Sequence, residues 1–335
     1  MTSERSMIGT TVDYNADGKQ FGHLMVPNSR NESAWGTLML PIVCIRNGDG
    51  PTMLLTGGNH GDEYEGPLAI LKLLRRIDPA RFNGRLIAMP ALNLPAMRAD
   101  ARISPIDNGN MNRSFPGHPR GTITQRIAHY VWSELMPLAD CVIDLHSGGH
   151  SLNFVPSAVM HELDDKDMMA RAEAALRAFG APISLQLKEL DAVGMLDTAA
   201  EEMGKLFIST ELGGAAMVTP ETVGVTDRGL DNLLKHFGML EGEPTPPEQP
   251  TRMMNTPDGA FTMSTADGLY EPVVELGEEV EAGQLLGRVH FVEEPEREPV
   301  EFHAAIGGVL YSRRVQGWTA RGDTLAVVAR DLPGA

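Results

Sequence analysis

The sequence predicts an α/β fold, in which a sheet is flanked by helices, followed by a small C-terminal all-β domain. Two observations carry this prediction. Between about residues 35 and 237, apolar runs typical of buried strands alternate with amphipathic stretches typical of helices. That alternation indicates βαβ units around a largely parallel sheet. Beyond a proline-dense segment, short alternating runs are interrupted by glycines, which is typical of a small β domain.

The individual elements follow from the position of each run. The predicted strands are residues 37–45, 52–57, 85–90, 141–145 and 206–211, and the predicted helices are residues 66–77, 122–138, 164–179 and 229–237. The proline-dense segment 243–250 indicates an extended linker. We therefore predict a first domain at 1–242, with an N-terminal extension at 1–34, and a small β domain at 251–335.

Composition and charge limit the classes of function. The 335 residues are 42% hydrophobic and 22% charged, which is ordinary for a globular protein. The net charge of −17 disfavours nucleic acid and anionic membranes as partners, because both would be repelled. Two cysteines exclude a disulfide framework. There is no secretory signal and no apolar run of transmembrane length, so we expect a cytoplasmic protein.

Two predicted strands are followed by residues that can bind a metal. His60 and Glu63 come after the strand at 52–57, in a glycine-rich turn, and His146 comes after the strand at 141–145. Parallel strands place such residues at one edge of the sheet. Two imidazoles and one carboxylate leave the fourth position of a tetrahedral zinc ion for water, as in catalytic sites. We predict one Zn²⁺ per chain, with cobalt or manganese as alternatives. The competing interpretation is that His60 caps a helix and Glu63 is solvated.

Two acidic residues lie near these donors in the predicted sheet. Asp144 is two residues before His146 and shares its face of the strand, so it can accept a hydrogen bond from the ligand imidazole. Glu211 ends the strand at 206–211, beside small residues. We predict that Glu211 is the general base that activates water and then protonates the leaving amine. An ion pair with a nearby arginine is the alternative.

A loop between the two metal-binding motifs holds candidate substrate-binding residues. Arg113 can bind a substrate carboxylate with its planar guanidinium, and Asn112 adds an amide donor. Arg102 can donate to the oxyanion that develops on the scissile carbonyl. Surface arginines are the alternative interpretation. The other histidines, including His161, are assigned core or surface roles by default, and His150 is the nearest of them to the site in sequence.

These four motifs occur in the order found in the succinylglutamate desuccinylase/aspartoacylase family, which the chain resembles over about residues 35–330. The family is a branch of the carboxypeptidase A-like zinc hydrolases. The resemblance implies a zinc-carboxypeptidase-like mixed sheet flanked by helices, and a small-molecule N-acyl amino acid as substrate. It assigns zinc binding to His60, Glu63 and His146, carboxylate binding to Asn112 and Arg113, the base to Glu211 and the oxyanion contact to Arg102.

Further segments resemble the branch of this family that acts in ectoine degradation. They are residues 26–30 (VPNSR), 33–36 (SAWG), 104–107 (SPID) and 194–198 (GMLDT). This resemblance implies removal of acetyl from N-α-acetyl-L-2,4-diaminobutyrate, which gives acetate and L-2,4-diaminobutyrate. The free ammonium of that substrate needs an acidic partner, and Glu189, Asp191 and Asp197 are the candidates.

Several alternatives stay open at the level of sequence. The first alternative is a deacylase of another N-acyl amino acid (N-acetylaspartate or N-succinylglutamate). The second is a metallocarboxypeptidase with an open groove, and the third is a non-catalytic metal-binding scaffold. A serine hydrolase is disfavoured because no Gly-x-Ser-x-Gly elbow is present. The β domain resembles biotinyl and lipoyl carriers, but the last lysine, Lys235, precedes it. We expect this domain to shield the site or to support a homodimer.

Overall fold

The computed structural model describes residues 5–188 and 193–333. Within them the α-helices, in chain order, are α1 Glu65–Arg76, α2 Leu94–Arg98, α3 Ile123–Tyr130, α4 Lys166–Phe179, α5 Leu196–Glu202 and α6 Pro220–His236. The strands are β1 Gly9–Thr10, β2 Gly18–Pro27, β3 Thr37–Asn47, β4 Thr52–Gly57, β5 Gly84–Met89, β6 Cys141–His146, β7 Leu152–Phe154, β8 Ser157–His161, β9 Ile183–Leu187, β10 Leu206–Glu211, β11 Arg252–Asn255, β12 Phe261–Met263, β13 Gly268–Pro272, β14 Glu279–Val280, β15 Leu285–His290, β16 Val300–His303, β17 Gly308–Arg314, β18 Trp318–Thr319 and β19 Thr324–Asp331.

One long mixed sheet forms the framework of the molecule. Its strand order is β1-β2-β3-β5-β4-β6-β10-β8-β9-β11-β19-β17-β14, with β12 paired to β19 and β7 to β17. The centre, β5-β4-β6-β10, is parallel, whereas β3 and β8 pair with it in antiparallel fashion. The predicted α/β class and the mixed sheet implied by the family resemblance are confirmed. The largely parallel arrangement inferred from the residues alone holds at the centre and in the pairs β8-β9 and β9-β11, but not across the whole sheet.

The central strands are apolar along their whole length because both faces of the sheet are covered. Leu54 of β4, Val142 of β6 and Phe207 of β10 belong to one hydrophobic core. Their neighbours Leu55 and Ile143 belong to the core on the opposite face. Strands that are buried on both faces have continuous hydrophobic runs rather than alternating ones. This is why the sequence signal for these strands is strong.

Helices of matching amphipathic pattern cover each face. We call the face covered by α1, α4 and α6 the first face, and the face covered by α3 and α5 the second face. The helix ends follow local rules: Thr122 and Thr219 form capping boxes at the starts of α3 and α6. Gly180, in the left-handed conformation, ends α4. The functional residues described below leave the sheet on its second face.

The five predicted strands are present with bounds that differ by at most two residues. The four predicted helices are also present, with two differences. The last helix was predicted to start nine residues too late: α6 begins at Pro220, and a proline at the first position begins a helix rather than breaking it. The helix predicted at 122–138 continues from α3 into a π turn, Val131–Leu135, and a 3-10 turn, Met136–Leu138. The sequence analysis did not identify β2, β8, β9 or α5.

The C-terminal part contributes to both sheets of the molecule. β11 pairs with β9 in parallel, and β19 pairs with β11, so these strands extend the main sheet beyond the linker. A separate antiparallel sheet has the order β16-β15-β13-β18. β2, in the segment assigned to an N-terminal extension, pairs with β3 along ten residues. The domain boundaries stay a prediction. Within the described ranges, no helix has the length and apolarity needed to cross a membrane.

Two glycines of α6 provide a matched test of the packing between α4 and α6. A Cβ atom added to Gly229 would lie 2.4 Å from the ring of Phe179, which is fully buried. We expect Gly229→Ala to destabilise the protein by about 1–3 kcal/mol through overpacking. A Cβ at Gly224, which is exposed, meets nothing within 4 Å. Gly224→Ala should therefore stabilise by about 1 kcal/mol. Urea unfolding of both variants measures this, and equal effects would contradict the proposed packing constraint.

Candidate active site

The candidate site is formed where three parallel strands end side by side. β4 and β10 flank β6, and the register places His146 of β6 directly opposite Glu211 of β10. Since side chains alternate along a strand, residues 142, 144 and 146 share the second face with residues 207 and 211. His60 and Glu63 lie in the turn that follows β4. The structure therefore brings together the four residues that the sequence analysis placed at this edge.

Glu63 lies between the two imidazoles. Its Oε1 is 2.7 Å from Nδ1 of His60, and its Oε2 is 2.8 Å from Nδ1 of His146. The backbone N–H of Ser147 also donates to Oε2, at 3.2 Å. The Glu63 side chain is only 2% exposed. In both histidines it is therefore Nδ1 that faces the carboxylate of Glu63, and with it the space between the three side chains.

The three donors are close enough to bind one metal ion. One ligand atom from each of His60, Glu63 and His146 can be chosen so that all lie within 4.8 Å of one another. In the described residues this is the one group of three or more histidine, cysteine or acidic side chains with that property. Two imidazole nitrogens and a carboxylate oxygen are donors that suit zinc and related divalent ions. The residues present therefore fit a divalent metal.

Asp144 orients one of these ligands, as strand alternation predicts. It is fully buried. Its Oδ2 is 2.7 Å from Nε2 of His146, which places the donating N–H on the nitrogen opposite Nδ1. Asp144 also accepts from Thr56 Oγ1 at 2.6 Å and from Asn59 Nδ2 at 2.8 Å. These bonds fix the ring of His146 and leave its Nδ1 lone pair for a metal.

Two glycines allow the turn after β4 to approach the neighbouring backbone. Gly58 has a φ of +66°, a conformation that favours glycine. A Cβ atom on Gly61 would lie 2.1 Å from the carbonyl carbon of Ala96 and 2.5 Å from the carbonyl oxygen of Ala101. Only glycine fits at residue 61, and its close contact brings the segment that carries Arg102 beside the metal-binding turn.

The charges of the donors depend on one another. Burial opposes the ionised form of Glu63, but the two imidazoles outweigh burial and hold the pKa of Glu63 below its usual value. Burial also disfavours the charged form of His146, but Asp144 and Glu63 outweigh it, so the pKa of His146 is well above its usual value. For His60, burial dominates and lowers the pKa. Positive charge is therefore favoured on His146, which lies between the carboxylates of Asp144 and Glu63, and disfavoured on His60.

Glu211 has the opposite electrostatic environment. Burial, with Glu63 as the second cause, raises the pKa of Glu211 to about 8. Its Oε2 is buried and has no hydrogen-bond partner among the described residues. A carboxylate with a pKa near neutrality and an unpaired oxygen can accept a proton and return it. The ion pair with arginine that was the alternative for Glu211 is not among the contacts of the described residues.

The three predicted substrate-binding residues all line the same cavity. Nη1 of Arg102 lies 3.5 Å from Oε1 of Glu63, beside the metal-binding donors. Asn112 accepts from the backbone N–H of Leu196 at 2.9 Å with its Oδ1, so its amide NH₂ is the group that it can offer to a ligand. Nη1 of Arg113 donates to the backbone oxygen of Asn112 at 2.7 Å. Their roles toward a substrate stay predictions.

The cavity has a volume of about 410 Å³ and is partly closed by C-terminal strands. Phe261, Tyr311 and Val327, from β12, β17 and β19, contribute to its wall. Tyr311 is fully buried and shares a 2.7 Å hydrogen bond with Ser157. Sequence analysis did not identify these residues, because no local motif marks them. Strand pairing alone brings them to the site.

Two histidines that the sequence analysis discussed lie in different places. His161 was assigned a core or surface role, but it is buried and lines the cavity. His150 contacts Asp100, with Nε2 3.1 Å from its Oδ1, and does not line the cavity. Of the three candidate partners for a substrate ammonium, Asp197 lines the cavity. Glu189 and Asp191 lie outside the described residues.

A family comparison agrees with this geometry. The succinylglutamate desuccinylase/aspartoacylase catalytic domain matches residues 49–237, more than half of the chain. The chain belongs to the succinylglutamate desuccinylase/aspartoacylase family. The matched range spans the strands and the turn that carry the candidate site, and it ends before the C-terminal strands. Members of this family are amide hydrolases, and this chain is an enzyme of that class.

Three relatives within the family cover nearly the whole chain. The N-alpha-acetyl-L-2,4-diaminobutyric acid deacetylase of Halomonas elongata is 47% identical over 325 residues, which are 97% of this chain and 95% of the relative. A product-bound structure of the ectoine utilization protein EutE (DoeB) from Ruegeria pomeroyi has 46% identity and a TM-score of 0.95, covering 98% and 99% of the two chains. A succinylglutamate desuccinylase/aspartoacylase structure from Rhodobacter sphaeroides has 42% identity and a TM-score of 0.94, with coverage of 98% and 99%.

The raised pKa of Glu211 leads to a prediction about stability. In the unfolded chain this carboxyl titrates near 4.5, but in the metal-free fold its pKa is about 8. The folded state therefore holds the proton more tightly, and it loses stability relative to the unfolded state as pH rises from about 4.5 to 8. Glu211→Gln removes this cost. In thermal melts of metal-free protein, we expect the variant to gain stability over wild type by a few kcal/mol on going from pH 5 to pH 8.

Glu202→Gln, at an exposed position of α5, is the matched control and should show no such pH-dependent gain. A melting-temperature difference between Glu211→Gln and wild type that stays constant from pH 5 to pH 8 would contradict the prediction.

Proposed function

We propose that the protein is a zinc-dependent deacetylase that hydrolyses N-α-acetyl-L-2,4-diaminobutyrate to acetate and L-2,4-diaminobutyrate, a step of ectoine degradation. One observation carries the chemistry: the imidazoles of His60 and His146, with Nδ1 facing Glu63, form with Glu63 a group of three metal donors. Beside it lies Glu211, whose buried Oε2 has no hydrogen-bond partner among the described residues. The substrate is supported by the relatives from Halomonas elongata and Ruegeria pomeroyi, whose names specify this deacetylation and ectoine utilization.

His60, Glu63 and His146 would hold the ion. Bound there, zinc would act as a Lewis acid on the acyl carbonyl and make water more acidic. Glu211 then has the role of proton carrier. It accepts a proton from the attacking water and afterwards donates it to the nitrogen of the leaving amine. In the metal-free fold Glu211 has a buried oxygen without a partner among the described residues and a pKa of about 8, so this carboxyl can hold a proton and release it.

Two arginines divide the recognition of the substrate. Arg102 is beside the metal donors, so its guanidinium can donate to the oxyanion that forms when water adds to the carbonyl. Arg113, with the amide of Asn112, can bind the α-carboxylate farther along the cavity wall. Two contacts at a fixed separation would present the acetamide to the metal-binding residues in one orientation.

The shape of the cavity favours a small substrate over a peptide. A volume of about 410 Å³ is at the lower end of small-molecule pockets, which are roughly 300–1,000 Å³. Strands from the C-terminal part form one wall, whereas a carboxypeptidase needs a groove that extends past the scissile bond. A deacylase of N-acetylaspartate or N-succinylglutamate is the second candidate, because the family description names both chemistries.

The first test is acetate release from N-α-acetyl-L-2,4-diaminobutyrate by zinc-loaded protein. N-acetylaspartate, N-succinylglutamate and a short peptide serve as competing substrates. We expect preferred turnover of the first compound, loss of turnover with a chelator, and a decrease of kcat by at least about 10²-fold in Glu211→Gln. The variant should still bind zinc, because Glu211 is not among the three proposed ligands.

The other results of this panel discriminate between the alternatives. Preferred turnover of N-acetylaspartate or N-succinylglutamate would refute the proposed substrate and retain the mechanism. Preferred cleavage of the peptide would support a carboxypeptidase. A zinc-bound protein with no turnover on any compound would support a non-catalytic scaffold.

The hydrogen bond from His146 to Asp144 predicts a contribution to metal affinity. Asp144→Asn removes the negative charge that orients and polarises the imidazole, and we expect the Kd for zinc to rise by about 10–100-fold. Competition with a chromophoric chelator measures the Kd. Asp164→Asn removes the same charge at an exposed position and is the control. An unchanged Kd in Asp144→Asn would show that His146 does not bind the metal in the proposed orientation.

A further inference from the structure

One carboxylate of the cavity has no role in the mechanism proposed above. The described lining residues include three carboxylates, Glu63, Asp197 and Glu211. Glu63 is assigned to the metal and Glu211 to proton transfer. Asp197 lies in the first turn of α5, and its side chain is 14% exposed. A largely buried carboxylate is costly unless it is well paired, and the ion-pair partner of Asp197 among the described residues, His161, lies 3.7 Å away, so the presence of this carboxylate in the wall requires a reason.

The hydrogen bonds of Asp197 leave one oxygen for another partner. Oδ1 accepts from the backbone N–H of Thr198 at 2.6 Å and from its hydroxyl at 3.3 Å. Oδ2 is 3.7 Å from Nε2 of His161, which is longer than a hydrogen bond. Among the described residues, no hydrogen bond to Oδ2 is present. The local contacts thus fix the orientation of the carboxylate and leave Oδ2 able to accept.

His161 is shared between Asp197 and a second carboxylate, so it does not serve Asp197 alone. The imidazole is buried between two acids, with Nδ1 3.0 Å from Oε2 of Glu201 and Nε2 facing Asp197. It comes from the end of β8, which pairs with β10 and brings residues 157 and 211 opposite each other. Through its contact with His161, Asp197 is positioned beside the strand that pairs with β10. Asp197 and Glu211 therefore line the same cavity, on the second face of the sheet.

The segment that carries Asp197 packs against the proposed carboxylate-binding pair. The backbone N–H of Leu196, the residue before Asp197, donates to Oδ1 of Asn112 at 2.9 Å. Two residues earlier, the carbonyl of Gly194 accepts from the backbone N–H of Phe115 at 3.0 Å. A site for an anion, at Arg113, and a site for a cation therefore adjoin each other along one wall of the cavity.

We propose that Asp197 binds the side-chain ammonium of the substrate and determines specificity for N-acyl amino acids with a cationic side chain. This inference rests on the proposed deacetylase function and deepens it. An N-acyl amino acid with a short cationic side chain offers a carboxylate to Arg113 and an ammonium to Oδ2 of Asp197. N-acetylaspartate and N-succinylglutamate carry additional carboxylates instead, which Asp197 would repel.

The test compares two substrates of the same shape and different charge. N-α-acetyl-L-norvaline has a methyl group where N-α-acetyl-L-2,4-diaminobutyrate has its ammonium. For zinc-loaded wild type we expect kcat/KM to favour the diamino compound by at least about 10²-fold. In Asp197→Asn, kcat/KM for the diamino compound should fall by at least about 10²-fold, while that for the norvaline compound stays within about threefold. A purely structural role would lower both equally.

Glu202→Gln removes an exposed carboxylate from the same helix and should leave the preference unchanged. If Asp197→Asn fails to fold, competitive inhibition of wild type by L-2,4-diaminobutyrate and by L-norvaline measures the same preference, and equal inhibition overturns the inference. Retained preference in folded Asp197→Asn overturns it as well. Two other results for wild type are distinguishable from these. If wild type hydrolyses neither acetyl compound, the proposed function itself is contradicted. If it hydrolyses both equally, only the role of Asp197 is contradicted.

Discussion

The candidate site depends on one constraint: three parallel strands at the centre of the sheet are buried on both faces. In β4, β6 and β10 a polar side chain has no water on either side, so functional groups are confined to the last positions of each strand and to the turns that follow. Asp144 is an ionisable residue within a strand, and three hydrogen bonds compensate for its burial. The fold thus concentrates its chemistry at one edge.

Two carboxylates in this small volume acquire different properties from their neighbours alone. Glu63 has an imidazole at each oxygen, and its pKa is lowered although it is buried. Glu211 is partly exposed at the surface of the cavity, has no such partners, and its pKa is raised. Oppositely shifted pKa values separate a permanent anion from a proton carrier. Because both residues are glutamates, their neighbours rather than their residue type decide which carboxylate stays ionised and which can carry a proton.

The sequence predicts the parts of the site that are local and misses those that depend on pairing between distant strands. His60, Glu63, His146 and Glu211 follow continuous apolar runs, so their place at the sheet edge can be derived. His161 and Tyr311 cannot be found this way. Strand β8 is five residues long, and β17 reaches the cavity only through its pairing with β7 and β19. Residue patterns within a strand do not specify the partner strand.

The positions of the site residues along the chain have a consequence for biosynthesis. Both imidazoles and both glutamates are translated by residue 211, but the cavity wall is completed by Tyr311 and by Val327 of β19. A nascent chain therefore carries its metal donors through much of its synthesis before the last strand encloses them. A product released early would retain those donors beside an open pocket, where water competes with every polar contact. The cavity is thus enclosed only after these C-terminal strands have been synthesised.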